Sequence, residues 1–244
     1  MGAFDGKVAL VTGSTSGIGE AIARAFSAAG ATVVVNSRSS AEAGRRLAAE
    51  LGAASYVQAD VAVEADVARL VATTLADHGR LDVLVNNAGT TEVIPHANLE
   101  AADLSVWRRI FEVNVFGTWA LSVAAMGALR EARGSIVNVT SIAGLRPTGS
   151  SIPYAASKAA LNHQTVLLAK AVGPDVRVNA VAPGLVDTPW TEDWGALREI
   201  VSAIAPLRRS GRPEDIAPIV LALAGAEYVT GQVVAIDGGL TLAS

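Results

Sequence analysis

Val8-Ala-Leu-Val-Thr12-Gly13-Ser-Thr-Ser-Gly17-Ile-Gly19 decides the fold of this chain, and a helical pattern from Glu20 to Ala29 follows it. The apolar run predicts a short buried strand, and the glycines predict a tight turn that a ligand can approach closely. Free N–H groups and the dipole at the start of the next helix favour an anion such as a pyrophosphate. The spacing Gly-x-x-x-Gly-x-Gly differs from the Gly-x-Gly-x-x-Gly dinucleotide fingerprint, so an ordinary glycine-rich turn is the alternative.

Short Val-rich runs recur along the chain and alternate with helical patterns. They are Val8 to Thr12, Thr32 to Asn36, Ala54 to Gln58, Val83 to Asn86, Ser135 to Thr140, Val176 to Val181 and Gln232 to Ile236. This alternation is typical of repeated βαβ units. It predicts an α/β fold with a doubly wound parallel sheet of about seven strands and helices on both faces. A length of 244 residues, 51% of them hydrophobic, fits one domain over residues 1–244.

Composition excludes several classes of protein. There is no cysteine, so neither a disulfide framework nor a cysteine metal site can form, and His78, His96 and His163 show no metal-ligand spacing. The longest apolar run, Ile216 to Ala226, contains Pro218 and is far shorter than the roughly 20 residues of a membrane span. No signal peptide is evident. A net charge of −4 gives no sign of a nucleic-acid partner. We expect a cytoplasmic protein with no metal and no membrane partner.

A second motif joins a hydroxyl, a phenol and an ammonium. Ser141 follows a predicted strand, and Tyr154 opens the pentad Tyr-Ala-Ala-Ser-Lys that ends at Lys158. If Pro153 lies in the first turn of a helix, Tyr154 and Lys158 are i and i+4 and share one face. We expect the nearby ammonium to lower the pKa of the phenol from its usual value of about 10. Tyr-x-x-x-Lys also occurs by chance in many helices, so the pentad alone decides nothing.

The two motifs, together with Asn86-Asn-Ala-Gly89, Asn114 and Pro183-Gly184, resemble the short-chain dehydrogenase/reductase family from Lys7 to Gly239. The resemblance implies a Rossmann-like domain that transfers a hydride between a nicotinamide cofactor and a ketone or secondary alcohol. Within the family the chain resembles 3-oxoacyl-acyl carrier protein reductases and the sugar and polyol dehydrogenases near them. The substrate is therefore expected to be a small carbonyl compound or alcohol, or an acyl thioester.

The resemblance also implies roles for four catalytic residues. Tyr154 would give its proton to the developing alkoxide, and Ser141 would hydrogen-bond the same oxygen. Lys158 would lower the pKa of the phenol and bind the nicotinamide ribose. Asn114 would anchor a water that carries protons to Lys158, with a surface polar side chain as the alternative.

The cofactor contacts that the resemblance implies lie along the ends of the strands. They are Gly13, Ser14, Ser16, Gly17, Ile18, Gly19, Ser37, Arg38, Asp60, Val61, Asn87, Ala88, Gly89, Tyr154, Lys158, Pro183, Gly184, Val186 and Thr188. No acid follows the second strand before Glu42, whereas Arg38 is available for a 2′-phosphate, so we expect NADP rather than NAD. A solvated Arg38 is the alternative. Asp60 would contact the adenine or would cap a helix.

A segment from Leu185 to Arg212 corresponds to the substrate lid of the family. Trp190 and Trp194 are four apart, so in a helical lid they would share one face. We expect this segment to close over an apolar pocket near Val93, Ile94, Ile142 and Leu185. Permanent packing of the two tryptophans against the protein is the alternative.

Two helical segments, Leu104 to Arg130 and Tyr154 to Val172, correspond to those that form a four-helix subunit contact in the family. The resemblance implies a homotetramer or homodimer, with Trp119, Leu161 and Leu168 as candidates for burial between subunits.

Two other classes of function are alternatives to an oxidoreductase. An epimerase or dehydratase that retains its cofactor shares Tyr-x-x-x-Lys, but those chains are usually longer. A catalytically silent nucleotide sensor would tend to lose part of the catalytic set, which is complete here.

A basic patch beside the cleft would favour an acidic acyl carrier as partner. Such a patch could be formed by Arg130, Arg133 and Lys170, but Glu131 and Asp175 lie among them. The charges in this region therefore do not decide between an acyl carrier and a small substrate.

Overall fold

The computed structural model describes residues 2–243, in which seven parallel strands form a single sheet. The strands are β1 Val8–Val11, β2 Thr32–Ser37, β3 Ala54–Gln58, β4 Val83–Asn86, β5 Ser135–Val139, β6 Arg177–Pro183 and β7 Val233–Ile236. All seven strand predictions are confirmed to within two residues. Continuous valine-rich runs form these strands because a parallel sheet that carries helices on both faces buries both sides of its central strands, as in β1, β4 and β5.

Eight α-helices connect and cover the strands within the described residues. They are α1 Gly17–Ala28, α2 Ala41–Leu51, α3 Glu64–His78, α4 Leu104–Phe111, α5 Thr118–Ala132, α6 Ile152–Val172, α7 Gly195–Ile204 and α8 Pro213–Gly225. One face of the sheet packs against α1 and α8, around Ile22, Phe26 and Val220. The other face packs against α3, α5 and α6, around Leu70, Leu121 and Leu168. The sheet is thus doubly wound.

The strand order β3-β2-β1-β4-β5-β6-β7 changes direction between β1 and β4. Ala9 of β1 is in register with Val33 on one side and with Val83 on the other. Connections leave β1 and β4 in opposite directions, so a crevice opens beyond their carboxyl ends. The motifs after β1, β4, β5 and β6 all border this crevice.

The predicted helix from Leu104 to Arg130 is not one regular α-helix. The segment Glu112–Gly117 between α4 and α5 is a π-helix, and it contains Asn114. A Cβ atom on Gly117 would lie 2.6 Å from the backbone oxygen of Val61, so the helix packs closely there. By length and composition the continuous run Leu104–Ala132 could cross a membrane. Those two properties alone do not indicate a span, because the core helix of a soluble protein shares them.

Two sequence predictions about packing are wrong. Helix α3 begins at Glu64 with Val63 at its N-cap, so Asp60 does not cap it and instead accepts a hydrogen bond from the Ala62 N–H at 3.0 Å. Leu161 and Leu168 are buried in the core of their own chain, because α6 lies against the sheet. Neither leucine is free to contact another subunit.

Candidate active site

The glycine loop between β1 and α1 has a backbone conformation in which residues other than glycine would be strained. Gly13 and Gly17 have φ values of +60° and +55°, in the left-handed region that favours glycine. A Cβ atom on Gly19 would lie 2.3 Å from the Gly13 carbonyl oxygen. The first turn of α1 therefore lies directly against the loop and presents its N–H groups to the crevice. Such a cradle fits the pyrophosphate of a dinucleotide.

Thr12 and Asn87 join the glycine loop to the segment after β4. The Asn87 side chain donates to the Thr12 and Gly13 carbonyl oxygens at 2.8 and 3.0 Å. The Thr12 hydroxyl accepts from the N–H groups of Asn87 and Ala88, each at 3.0 Å. Thr12 was not among the predicted site residues. Its position between β1 and the first glycine of the loop could have indicated that it holds the loop in place.

A single cleft of about 1020 Å³ holds nearly all of the predicted cofactor residues. Ser14 is the exception, since its buried hydroxyl donates to the Val11 carbonyl oxygen at 2.7 Å and accepts from the Asn36 N–H at 3.0 Å. Through these two hydrogen bonds its side chain links β1 to β2, and it does not line the cleft. Thr15 lines the cleft and was missed.

The end of β2 places Arg38 at the edge of the cleft. Its side chain is exposed, and within residues 2–243 its guanidinium forms no ion pair. The neighbouring Ser37 hydroxyl shares a 3.0 Å hydrogen bond with the Tyr56 hydroxyl. A free cation at this point is compatible with a phosphate on the adenosine ribose.

Ser141, Tyr154 and Lys158 meet where β5 ends and α6 begins. Ser141 precedes a 3₁₀ turn, Ile142–Gly144, and its hydroxyl accepts from the Ala143 N–H at 3.1 Å. Helix α6 begins at Ile152 with Pro153 in its first turn, as predicted, so Tyr154 and Lys158 lie on one face. The Lys158 ammonium donates to the Val139 carbonyl oxygen at 3.0 Å and lies 5.7 Å from the centre of the Tyr154 ring.

The expected lowering of the Tyr154 pKa is wrong. Burial raises the pKa of the phenol to about 12, and a side-chain hydrogen bond with Ser141 opposes this rise. Burial also lowers the pKa of Lys158 to about 8. Lys158 lies over the ring face and donates to a backbone carbonyl, so desolvation outweighs its attraction for the phenolate. At neutral pH the phenol holds its proton and the ammonium is mostly charged.

Asn114 lies in the π-helix and has no exposed surface. Its amide nitrogen donates to the Thr90 carbonyl oxygen and to the Ser157 hydroxyl, each at 3.0 Å. The Ser157 hydroxyl donates in turn to the Tyr154 carbonyl oxygen at 2.7 Å. The alternative of a surface polar residue is excluded, and Ser157 is a further residue that the sequence reasoning missed.

Gly89 lies close to both Asn114 and Lys158. A Cβ atom added to it would be 3.4 Å from the Asn114 amide oxygen and 3.6 Å from the Lys158 nitrogen. The floor of the cleft is therefore kept open by a glycine beside the ammonium. This narrow polar space is compatible with a ribose hydroxyl or a water molecule.

The segment predicted to be a lid contains a 3₁₀ turn, Pro189–Thr191, followed by helix α7. Trp190 lies in the turn and Trp194 at the N-cap of α7, so the expectation of one shared helical face is wrong. Pro189 and Gly195 begin two separate short helices. The Trp190 ring makes an edge contact with Tyr154 at 6.4 Å between centroids and is 48% exposed. Both tryptophans line the cleft, as do the four predicted pocket residues Val93, Ile94, Ile142 and Leu185.

Comparison with known proteins agrees with this geometry. A family model described as enoyl-(acyl carrier protein) reductase matches residues 13–241. The chain belongs to the short-chain dehydrogenase/reductase family. It is 57% identical over 242 residues to a protein named as ketoacyl reductase 2 of the granaticin polyketide synthase of Streptomyces violaceoruber, covering 98% of this chain and 97% of that one. A 3-oxoacyl-[acyl-carrier-protein] reductase of Synechocystis is 38% identical, covering 99% of this chain and 100% of that one.

A solved structure supports the same family assignment. The short-chain dehydrogenase/reductase of Brucella melitensis named as a glucose/ribitol dehydrogenase aligns with a TM-score of 0.92 and 31% identity, covering 98% of each chain. The present chain is therefore a nicotinamide-dependent oxidoreductase.

Proposed function

We propose that the protein is an NADPH-dependent reductase of 3-oxoacyl thioesters, with Tyr154 as the general acid. The observation that carries the proposal is the buried Tyr154 phenol, which is protonated at neutral pH and lies beside Ser141 and the Lys158 ammonium. A proton donor at this point serves reduction of a carbonyl better than oxidation of an alcohol. The names of the ketoacyl and 3-oxoacyl reductases among the relatives support the thioester.

In the proposed reaction the nicotinamide, when bound, supplies the hydride. Ser141 and Tyr154 hydrogen-bond the carbonyl oxygen and stabilise the charge that develops on it. Tyr154 then gives its proton to the alkoxide, which is a far stronger base than a phenolate. Lys158 stabilises the resulting phenolate by its charge, and Asn114 positions α6 through Ser157. Gly13, Gly17 and Gly19 would hold the pyrophosphate.

The preference for NADP rests on Arg38, whose exposed guanidinium has no acidic neighbour at the end of β2. Replacing Arg38 by Ala and Ser37 by Asp should remove the cation and add an acid that binds ribose hydroxyls. We expect the kcat/KM ratio of NADPH to NADH to fall by roughly tenfold or more, the size of one charge-assisted hydrogen bond. Arg108→Ala, on the exposed face of α4, is the control. An unchanged ratio in the double variant would show that Arg38 does not select the cofactor.

A second candidate function is a sugar or polyol dehydrogenase, which the name of the Brucella protein suggests. Purified enzyme should be assayed by NADPH absorbance with acetoacetyl thioesters, and in the reverse direction with ribitol and glucose. The thioester proposal requires the highest kcat/KM for the acetoacetyl compounds. Turnover confined to the polyols would instead establish the second candidate.

We also propose that the protein is a cytoplasmic homo-oligomer. Large apolar side chains are exposed on α5, its preceding π-helix and α6, and we group them as one candidate surface: Phe116, Trp119, Val123, Val166 and Leu167. Exposed apolar clusters of this kind are typical of subunit contacts. This surface replaces Leu161 and Leu168 as the candidate interface and retains Trp119.

A further inference from the structure

His96 lines the substrate half of the cleft, and the proposed proton transfer leaves its imidazole unused. The residue occupies the second position of a turn in which the Asn98 N–H donates to the Pro95 carbonyl oxygen at 2.9 Å. Just before this turn, the Ile94 N–H donates to the Ser150 carbonyl oxygen at 2.8 Å. The backbone that carries His96 is therefore fixed to the segment that leads into Tyr154.

Two further contacts anchor the same loop. The hydroxyls of Thr91 and Ser150 share a hydrogen bond of 2.6 Å, and Glu92 forms an ion pair with Arg109 of α4. These contacts hold the loop from both sides, so the backbone position of His96 is set by the fold.

The His96 Nε2 atom is buried and has no hydrogen-bond partner within residues 2–243. Such an atom is unusual, because nearly all buried polar groups are hydrogen-bonded and an unpaired one is unfavourable. The other side-chain atoms of this kind belong to Asn162 and Gln164 on α6, which do not line the cleft. The terminal torsion of histidine is broad and roughly two-fold. A rotation about this torsion would bring Nε2 to the cleft without movement of the backbone.

The surroundings of His96 indicate what it would bind. Neighbouring cleft residues Val93, Ile94 and Ile142 are apolar, and the Thr91 and Ser150 hydroxyls already bond each other. Ser141 and Tyr154 are assigned to the reacting oxygen. A second oxygen of a substrate that enters this apolar half would find the imidazole as a free donor. A carbonyl oxygen is a suitable acceptor for an imidazole N–H.

We propose that His96 is a substrate-binding residue that donates a hydrogen bond to the second carbonyl oxygen of a 1,3-dicarbonyl substrate. In a 3-oxoacyl thioester this atom is the thioester oxygen, and that identification rests on the proposed function. The bond selects dicarbonyl compounds over simple ketones and fixes the reacting carbonyl beside Tyr154.

The test compares a ketone that carries an ester group, ethyl 3-oxobutanoate, with a ketone that lacks it, 2-hexanone, in the wild-type enzyme and two variants. His96→Phe keeps a flat ring without nitrogen, and His96→Asn keeps an N–H donor. We expect His96→Phe to raise KM for the ketoester by roughly tenfold, the value of one hydrogen bond, with kcat nearly unchanged. KM for 2-hexanone should not change, and His96→Asn should restore part of the discrimination.

Affinities of both compounds for the enzyme–NADP⁺ complex are measured by calorimetry as well, so the comparison does not depend on turnover. Thermal unfolding reports any general loss of stability in the variants. An equal change for both compounds, or no change for either, would overturn the role of His96. Failure of the wild-type enzyme to reduce acetoacetyl thioesters would instead overturn the proposed function, while the ester and ketone still decide the role of His96.

Discussion

Tyr154 and Lys158 are adjacent on α6, yet the dominant influence on each is burial and not the other's charge. The pKa of the phenol is raised to about 12 and that of the ammonium is lowered to about 8. The sequence spacing predicted correctly that the two residues share one face of the helix. It predicted incorrectly the direction in which the pKa of the phenol is shifted. The i, i+4 relation fixes which residues are neighbours but says nothing of how deeply the protein encloses them.

These shifts predict how the rate depends on pH. If the Lys158 charge stabilises the phenolate that forms, kcat/KM for reduction should be level below neutral pH and fall as the pH rises through about 8. Tyr154 keeps its proton throughout this interval. Lys158 also affects stability, since between pH 8 and 10.5 the unfolded chain holds a proton that the folded protein has lost. Its contribution to the free energy of unfolding therefore rises with pH there.

Steady-state kinetics from pH 6 to 10, with coenzyme and substrate varied in turn, provide the check. A rate that stays level to pH 10 would contradict the role given to the ammonium. Thermal unfolding over the same interval separates loss of activity from loss of structure.

At the scale of elements, the strands and the glycine loop could be predicted because their signals are local. Buried valine runs and glycines with positive φ act within a few residues. The π-helix around Asn114 could not be predicted, since its close approach to Val61 involves residues far apart in the chain. Whether Trp190 and Trp194 belong to one helix depends on where α7 begins, and the ends of helices are difficult to predict from sequence.

The lid provides a prediction at this scale. Trp190 is 48% exposed while it touches Tyr154, and the remaining aromatic surface would be covered when substrate binds beneath it. We expect limited proteolysis within 185–212 to slow markedly when NADPH and a substrate analogue are both present. Cleavage at a site outside this segment serves as the internal control. Equally slow cleavage with and without ligands would show that the tryptophans are packed permanently.

At the scale of the whole molecule, the doubly wound parallel sheet of seven strands followed from the alternation of strands and helices. The sequence did not indicate which apolar residues lie in the core and which lie on the outer surface. Leu161 and Leu168 face inward while Val166 and Leu167 face outward, and only the rotation of α6 against the sheet decides which. A helix whose polar and apolar residues are not separated onto two faces gives no sequence signal for that rotation.

The exposed surface of α5 and α6 predicts self-association. At micromolar concentration, light scattering should give a mass of two or four chains of 24.9 kDa. Trp119→Glu would place a charge in the proposed contact and should shift the distribution toward monomer, whereas Tyr228→Glu, at a fully exposed position outside this surface, should not. A single species of one chain in the wild-type protein would contradict the prediction.

The proposed mechanism depends most directly on the proton of Tyr154. Tyr154→Phe removes only the hydroxyl, so kcat for reduction of an acetoacetyl thioester by NADPH should fall at least 10²-fold, about 2.7 kcal/mol in the barrier. The affinity for NADPH should be nearly unchanged. Tyr228→Phe, which removes a hydroxyl from a fully exposed ring, should retain the wild-type rate. Near-normal turnover in Tyr154→Phe would contradict the assignment of Tyr154 as the general acid.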